Sequence, residues 1–492
     1  MSAPFDLIVI GGGVNGAGIA RDAAGRGASV LLLEARDLAG GTSSASTKLV
    51  HGGLRYLEHY EFALVREALG ERETLWTIAP HIVRPLRFVL PVVPRDAGGT
   101  RPAWMLRAGL FLYDHLGGSG ALPGTASIDL AQHPAGTPLK PGMARAFEYS
   151  DGWVDDARLV VLNALDAHER GAEIRTRSPV TRARRDGQLW RVETPAGVFA
   201  ARALVNAGGP GADAVAQLCG VAPDFAVRRV RGSHIVVRRL FDHPYAYIFQ
   251  LRDERIMFAI PYEDDFTLIG TTDRDETRAF EVAAGADEIA YLCAAASEYF
   301  TQPIAPTDVV HSYAGVRALI DDGSGRPEAA SRGFHLPLSA PDEGAPLLGV
   351  YGGKITSYRA LAEEAVDALA ERLGWPGTAW TGGTPLPGGD FARESQGELI
   401  AAMRRACPFL SERDATRIAR AYGTRAARWL GDATNWDQLG RRFGAGLTQA
   451  EVDYLRSAEW ARTAEDVLWR RSKLGLHMTA AERDEVTGYL GG

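Results

Sequence analysis

Two rhythms of apolar positions divide this chain. Near its start an unbroken run, Leu7-Ile8-Val9-Ile10, ends at Gly11-Gly12-Gly13-Val14-Asn15-Gly16, and Ile19 and Ala23 then recur at helical spacing. Such a run closed by glycines reads as an apolar strand, and the three-to-four-residue period after it as a helix. Ser29 to Leu33 predicts the next strand, and Tyr60 to Ala79, with Phe62, Leu64, Ala68, Leu69 and Leu75 as apolar positions, predicts a long helix. The middle of the chain changes rhythm. Gln188 to Glu193, His234 to Val237, Ala246 to Phe249, Arg255 to Ile260 and Thr267 to Gly270 are short β-rich runs that suit a mainly antiparallel sheet. Two other runs, Arg202 to Asn206 and Leu347 to Tyr351, lead into glycine turns at Gly208-Gly209 and Gly352-Gly353, which suits a return to the first sheet; a helix to about Leu373 follows the second. Beyond Pro385-Leu386-Pro387-Gly388-Gly389 come short helices with charged faces.

The first strand-glycine-helix-strand unit carries chemistry. Gly11 allows a tight turn, Gly13 lets the backbone approach a pyrophosphate, and Gly16 lets the helix pack on the strand, so the helix N-terminus faces the phosphates. Glu34 closes the second strand about 20 residues further on, where a carboxylate accepts hydrogen bonds from a ribose diol and repels a 2′-phosphate. FAD or NAD fits better than NADP. Gly209-Pro210-Gly211 lacks a third glycine at the right spacing, so no second fingerprint is present, which counts against a pyridine-nucleotide-dependent flavin reductase.

Composition narrows the partners. With 54 basic and 61 acidic side chains and a formal charge of −7, the chain offers no broad nucleic-acid surface. Cys219, Cys293 and Cys407 lie too far apart for a disulfide framework, zinc ribbon or iron-sulfur cluster, so no metal and a reducing, cytoplasmic setting are expected. The first strand begins within a few residues of Met1, and secretion is not expected. No apolar run is long enough to cross a bilayer. Trp104 to Tyr113, with Arg101 and Pro102 before it, reads equally as a helix lying on a membrane and as a core helix.

Longer strings in matching order carry a resemblance. Gly11 to Asp22, Thr42 to Glu58, Gly232-Ser233-His234, Gly270-Thr271-Thr272-Asp273, Gly315-Val316-Arg317, Gly352-Gly353-Lys354-Ile355-Thr356 and Arg462 to Arg471 are similar to the FAD-dependent, quinone-linked glycerol-3-phosphate dehydrogenases. One departure is Ala318, where that family's motif carries proline after the arginine. The resemblance implies oxidation of sn-glycerol 3-phosphate to dihydroxyacetone phosphate by non-covalent FAD, with electrons passed to a quinone at the inner face of the cell membrane. The expected fold is α/β: a Rossmann-like FAD-binding domain (1–80, 145–215 and 345–385) interleaved with a mainly antiparallel β substrate-binding domain (81–144 and 216–344), then a C-terminal α-helical domain (390–492).

Oxidising a secondary alcohol needs a hydride acceptor and a base for the hydroxyl proton. His51 and His234 are the candidate bases, because imidazole titrates near working pH, and the choice between them stays open. A phosphate monoester carries nearly two negative charges, which Arg317 and Arg332 would meet with bidentate donors. Arg55 and Tyr56 close the pocket, with Thr272 and Asp273 as further substrate contacts. Lys354, beside a helix N-terminus, would stabilise negative charge on the reduced flavin. With Gly11, Gly13, Gly16 and Glu34, the resemblance adds Asn15, Thr42, Ser43, Ser44, Thr47, Lys48, Val180, Gly208, Gly353, Lys354 and Thr356 as cofactor contacts. The competing readings are a glycerol-3-phosphate oxidase using oxygen, an amine or amino-acid oxidase, and a non-enzymatic nucleotide binder. Whether the chain forms a homodimer is left open.

Overall fold

The computed structural model describes residues 3–93, 101–117, 120–253, 255–321, 333–339 and 344–491. Strand β1 (Phe5–Ile10), helix α1 (Val14–Gly25) and strand β2 (Val30–Leu33) form the first unit. β1 lies between β2 and the strand Gly197–Asn206, Leu7 standing opposite both Val30 and Ala203. Glu173–Arg175 extends this sheet past β2, and Leu347–Gly349 extends it past Gly197–Asn206, all in parallel. These strands are apolar without alternation because both faces are covered. Leu7, Val9, Leu32 and Val205 pack with Ile19 of α1 and with Leu159 and Leu361 of the helices Asp156–Glu169 and Tyr358–Leu373. Ile8, Leu31 and Leu204 face Trp190 and Val192 of the hairpin formed by Arg182–Asp186 and Leu189–Thr194.

The second sheet is mainly antiparallel. Val227–Arg238, Phe266–Gly270, Ile256–Tyr262 and Ala246–Gln250 lie side by side, and Val83–Pro91 then adds as a parallel neighbour of Ala246–Gln250. Val309–Ile320 pairs along Val227–Arg238 from the other side. One boundary differs from the expectation. Arg145–Val154 belongs to this second sheet, pairing Tyr149 with Phe88 and Trp153 with Leu49, so the chain rejoins the first layer only at the helix Asp156–Glu169. Phe147, Tyr149 and Trp153 of that strand pack into one core and Ala146 into another, a burial that either sheet could have offered to the same residues.

Helix α2 (Phe62–Ile78) and helix α3 (Ala103–Leu116) cover one end of the second sheet. α3 turns Leu106, Leu110 and Tyr113 inward and leaves Trp104 74%, Phe111 51% and Leu112 41% exposed. The C-terminal helices Gln396–Ala406, Glu412–Tyr422, Gln449–Ala458 and Ala480–Leu490 enclose their own core around Ile418, Leu455 and Val486. Ser411, Thr448 and Thr479 cap three of them, each accepting the backbone N–H three residues on. Cys219, Cys293 and Cys407 are buried thiols.

Candidate active site

A cavity of about 1230 Å³ opens where the carboxyl ends of β1, β2 and Gly197–Asn206 meet the second sheet. The chain turns into it at Gly11, whose φ of +114° and closeness to Ala207 O, 2.4 Å from where a Cβ would stand, exclude a side chain. Gly16 lies behind the wall; a Cβ there would meet Gly11 O at 1.9 Å, so its glycine sets how closely α1 approaches β1. Gly11, Gly13, Asn15, Glu34, Thr42, Ser43, Thr47, Val180 and Gly208 line the side of the cavity that borders this first unit. Ser43 Oγ accepts the Val14 N–H at 3.0 Å at the start of α1, and Thr42 Oγ1 donates to Val316 O at 2.5 Å, fastening this loop to the second sheet.

Glu34 accepts from Gly12 N at 2.6 Å and Arg36 N at 2.7 Å. Burial raises its pKa while those N–H groups and the Arg36 charge oppose the rise. A carboxylate has about four acceptor positions, so two remain for a diol.

The other side of the same cavity holds His51, Tyr56, Asp273, Arg317, Gly353, Lys354 and Thr356. The His51 N–H donates to Thr356 Oγ1 at 3.3 Å, and the next residue, Gly52, donates its N–H to Tyr113 Oη at 2.7 Å. Arg317 pairs through Nη1 with Asp273 and donates from Nη2 to Thr271 Oγ1 at 3.2 Å, leaving its side chain 31% exposed. Lys354 Nζ sits 3.7 Å from the centroid of the Tyr56 ring, a cation–π contact that fixes the ammonium at the wall.

Four expected contacts are placed elsewhere. His234 is buried behind Thr47, its Nε2 3.0 Å from Thr47 Oγ1 and its ring stacked on Tyr313 at 4.9 Å. Burial, with Lys48 and Arg317 nearby, holds its pKa well below the usual value, so it is a neutral imidazole that positions Thr47. Thr272 turns away, donating to Glu288 Oε1 at 2.7 Å, while its neighbour Thr271 lines the cavity. Lys48, at φ +62°, turns inward to Asp156 Oδ1 and Oδ2 at 2.9 and 3.0 Å, and Ser44 serves it through its backbone oxygen at 3.1 Å. The Arg55 side chain and Arg332 lie outside the described residues.

Other wall residues gave little sign in the sequence. Asp151 and Tyr149 enter from Arg145–Val154, and Arg36 and Phe280 stack across the mouth with the guanidinium 4.2 Å from the ring centroid. Thr271 lies just past the end of Phe266–Gly270, where no strand alternation distinguishes it from Thr272.

The cavity fits a dinucleotide with a small substrate beside it. It exceeds the roughly 300–1,000 Å³ of pockets for drug-sized ligands, and the buried Oδ1 of Asn15 on its wall has no hydrogen-bond partner among the described residues. The model of the FAD dependent oxidoreductase family matches residues 6–359, and that of the C-terminal domain of alpha-glycerophosphate oxidase matches residues 379–488. The glycerol-3-phosphate dehydrogenase of Pseudomonas aeruginosa is 50% identical over 494 residues, covering 99% of this chain and 95% of its own. The D-erythritol 1-phosphate dehydrogenase of Brucella abortus is 50% identical over 486 residues, covering 97% and 96%. The solved glycerol-3-phosphate dehydrogenase of Bacillus halodurans complexed with FAD shares the fold with a TM-score of 0.75 at 25% identity, over 99% of this chain and 94% of that one. Fold and cavity together are those of an FAD-dependent oxidoreductase. The similarity runs through the C-terminal helices as well, and the chain belongs to the FAD-dependent glycerol-3-phosphate dehydrogenase family.

Proposed function

We propose that the chain oxidises sn-glycerol 3-phosphate to dihydroxyacetone phosphate and hands the electrons to a membrane quinone. What supports this reading is one cavity whose wall joins the dinucleotide fingerprint to His51, Arg317 and Lys354. FAD, when bound, supplies the hydride acceptor. His51 takes the proton of the reacting hydroxyl, on a loop fixed at Thr356 and Tyr113. Arg317, braced by Asp273 and Thr271, turns its remaining N–H donors to the phosphate. Lys354 adds fixed positive charge where anionic charge develops during the reaction.

The membrane part of the proposal rests on α3. Trp104, Phe111 and Leu112 stand outward on a helix that carries Arg107 and is preceded by Arg101, and Tyr60, 81% exposed, lies before the start of α2. Among the described residues no helix is long and apolar enough to cross a membrane, so contact would be peripheral.

Anaerobic mixing of the purified protein with glycerol 3-phosphate should bleach the flavin absorbance, and no bleaching would overturn the reading. A parallel run with D-erythritol 1-phosphate separates the substrates named for the two relatives. Peroxide formation in air, in place of quinone reduction, would favour the oxidase alternative.

A further inference from the structure

The C-terminal helical unit supplies no described residue to the cavity wall, yet two of its fully buried charges, Asp466 and Arg471, pair with side chains on the two stretches of backbone that border the Glu34 end. One stretch is 34–37, after β2; the other is 175–178, after Glu173–Arg175. They are laddered together beyond the ends of their strands, Ser178 N donating to Glu34 O at 2.8 Å and Arg177 N to Arg36 O at 2.7 Å. Glu34, Ala35 and Arg36 from the first stretch line the cavity, as does Val180 just past the second.

One side chain from each stretch, Asp37 and Arg177, ends in the C-terminal unit. Asp37, 2% exposed, accepts from Arg471 Nη1 at 2.7 Å and Nη2 at 2.8 Å and from Arg470 Nε at 2.6 Å. Arg177 Nη2 donates to Asp466 Oδ2 at 2.6 Å, and that oxygen also accepts the Arg462 and Thr463 N–H groups at 2.7 and 3.0 Å. Arg470 closes the circuit by pairing with both Asp37 and Asp466. Asp466–Arg471 forms one turn of π-helix, a rare geometry that often marks functional positions. Arg471 is fully buried and gives its other bonds to Glu459 O. Burying such charges is costly unless they are paired in good geometry with their remaining donors and acceptors satisfied. A bidentate fork on Asp37 fixes the orientation of its backbone as an apolar contact would not.

Resting on the assignment of FAD to the fingerprint, we propose that the C-terminal unit braces the adenosine half of the cofactor site, with Arg177, Arg470 and Arg471 as positioning residues that hold 34–37 and 175–178 in register through Asp37 and Asp466. Cofactor retention and docking of the C-terminal helices then form one linked equilibrium, and linkage is reciprocal: FAD must tighten the contact that tightens FAD.

The test uses the full-length holoenzyme and the variants Arg177→Gln and Asp37→Asn, with Arg177→Lys as the conservative control. Release of FAD, followed as the rise of free-flavin fluorescence, should be about tenfold faster in both, and Arg177→Lys should recover part of the loss. Affinity for FMN, which lacks the adenylate, should change less than twofold. In the parent, hydrogen exchange of peptides spanning 459–476 should slow when FAD is bound. The Arg177 side chain is 35% exposed, so Arg177→Gln keeps the test open if Asp37→Asn does not fold. Release rates within twofold of the parent, equal losses of FMN and FAD, or FAD-independent exchange at 466–471 would each overturn the brace. A parent that takes up no FAD would instead overturn the cofactor assignment.

Discussion

Tyr113 donates its hydroxyl to Asp151 Oδ2 at 2.7 Å while accepting the Gly52 N–H at the same distance. One phenol on α3 therefore ties the loop that carries His51 to a carboxylate on the cavity wall. Arg72 Nη1 completes the group, donating to Asp151 Oδ1 at 3.1 Å.

Burial pushes the Asp151 carboxyl up from 3.8 to about 6, against the opposing pull of Arg72 and Tyr113. Folding therefore favours the protonated acid. Its contribution to stability is fully present below the unfolded value and is lost as pH rises through the folded one. Relative to Asp151→Asn, the parent should lose on the order of 2–3 kcal/mol between pH 4 and pH 6.5, read from urea unfolding at each pH. A difference that stays flat with pH would contradict this.

His51→Asn should slow substrate-driven flavin reduction by roughly 10²–10⁴-fold with FAD retained, the usual span for a lost general base. His234 stays neutral through the working range because its pKa is held well below the usual value. His234→Asn should cost less and leave the acid limb of the kcat/KM profile in place. Loss of that limb in His234→Asn alone would exchange the two roles.

Arg317→Lys keeps the charge and removes the planar fork. A hydrogen bond to a charged group is worth about 1.5–3 kcal/mol, so KM for glycerol 3-phosphate should rise about 10- to 100-fold. Steady-state kinetics at constant FAD content will show it, and an unchanged KM would remove Arg317 from the phosphate site.

Lys354→Ala should slow flavin reduction in rapid mixing more than it weakens FAD retention, since its ammonium stands at the wall over Tyr56. Reduction at the parental rate would remove the assignment.

Asp156 receives Lys48 Nζ on both oxygens and the Ser46 hydroxyl at 2.7 Å, all within the buried base of the cofactor loop. Asp156→Asn leaves the lysine charge without its counter-ion and should destabilise the fold by roughly 3–5 kcal/mol. Thermal unfolding within error of the parent would show that the pair relaxes without cost.

What could be read in advance depended on how local the cause was. Gly11, Gly13 and Glu34 were legible because backbone geometry alone dictates their spacing. The parallel strands were legible because burial on both faces leaves an unbroken apolar run. His234 was not, since its neighbours Thr47 and Tyr313 come from distant segments and only the packed sheet shows the ring behind the wall. Lys48 was drawn toward the cofactor by its motif, but the left-handed backbone there turns it to Asp156. Arg145–Val154 went to the other sheet because its burial pattern suits either, and Asp151 came to the wall with it. Thr271 and Thr272 were not told apart, because they lie beyond the end of Phe266–Gly270, where side chains no longer alternate regularly.

The nucleotide sheet takes its parallel strands from chain segments as far apart as Phe5–Ile10 and Leu347–Gly349. On the ribosome, Gly197–Asn206, the strand beside the first one, must wait for its outer partner Leu347–Gly349 until more than two thirds of the polypeptide has emerged. Flavin capture is therefore an event of late or completed synthesis, and a nascent chain halted before residue 347 should stay colourless however much cofactor surrounds it.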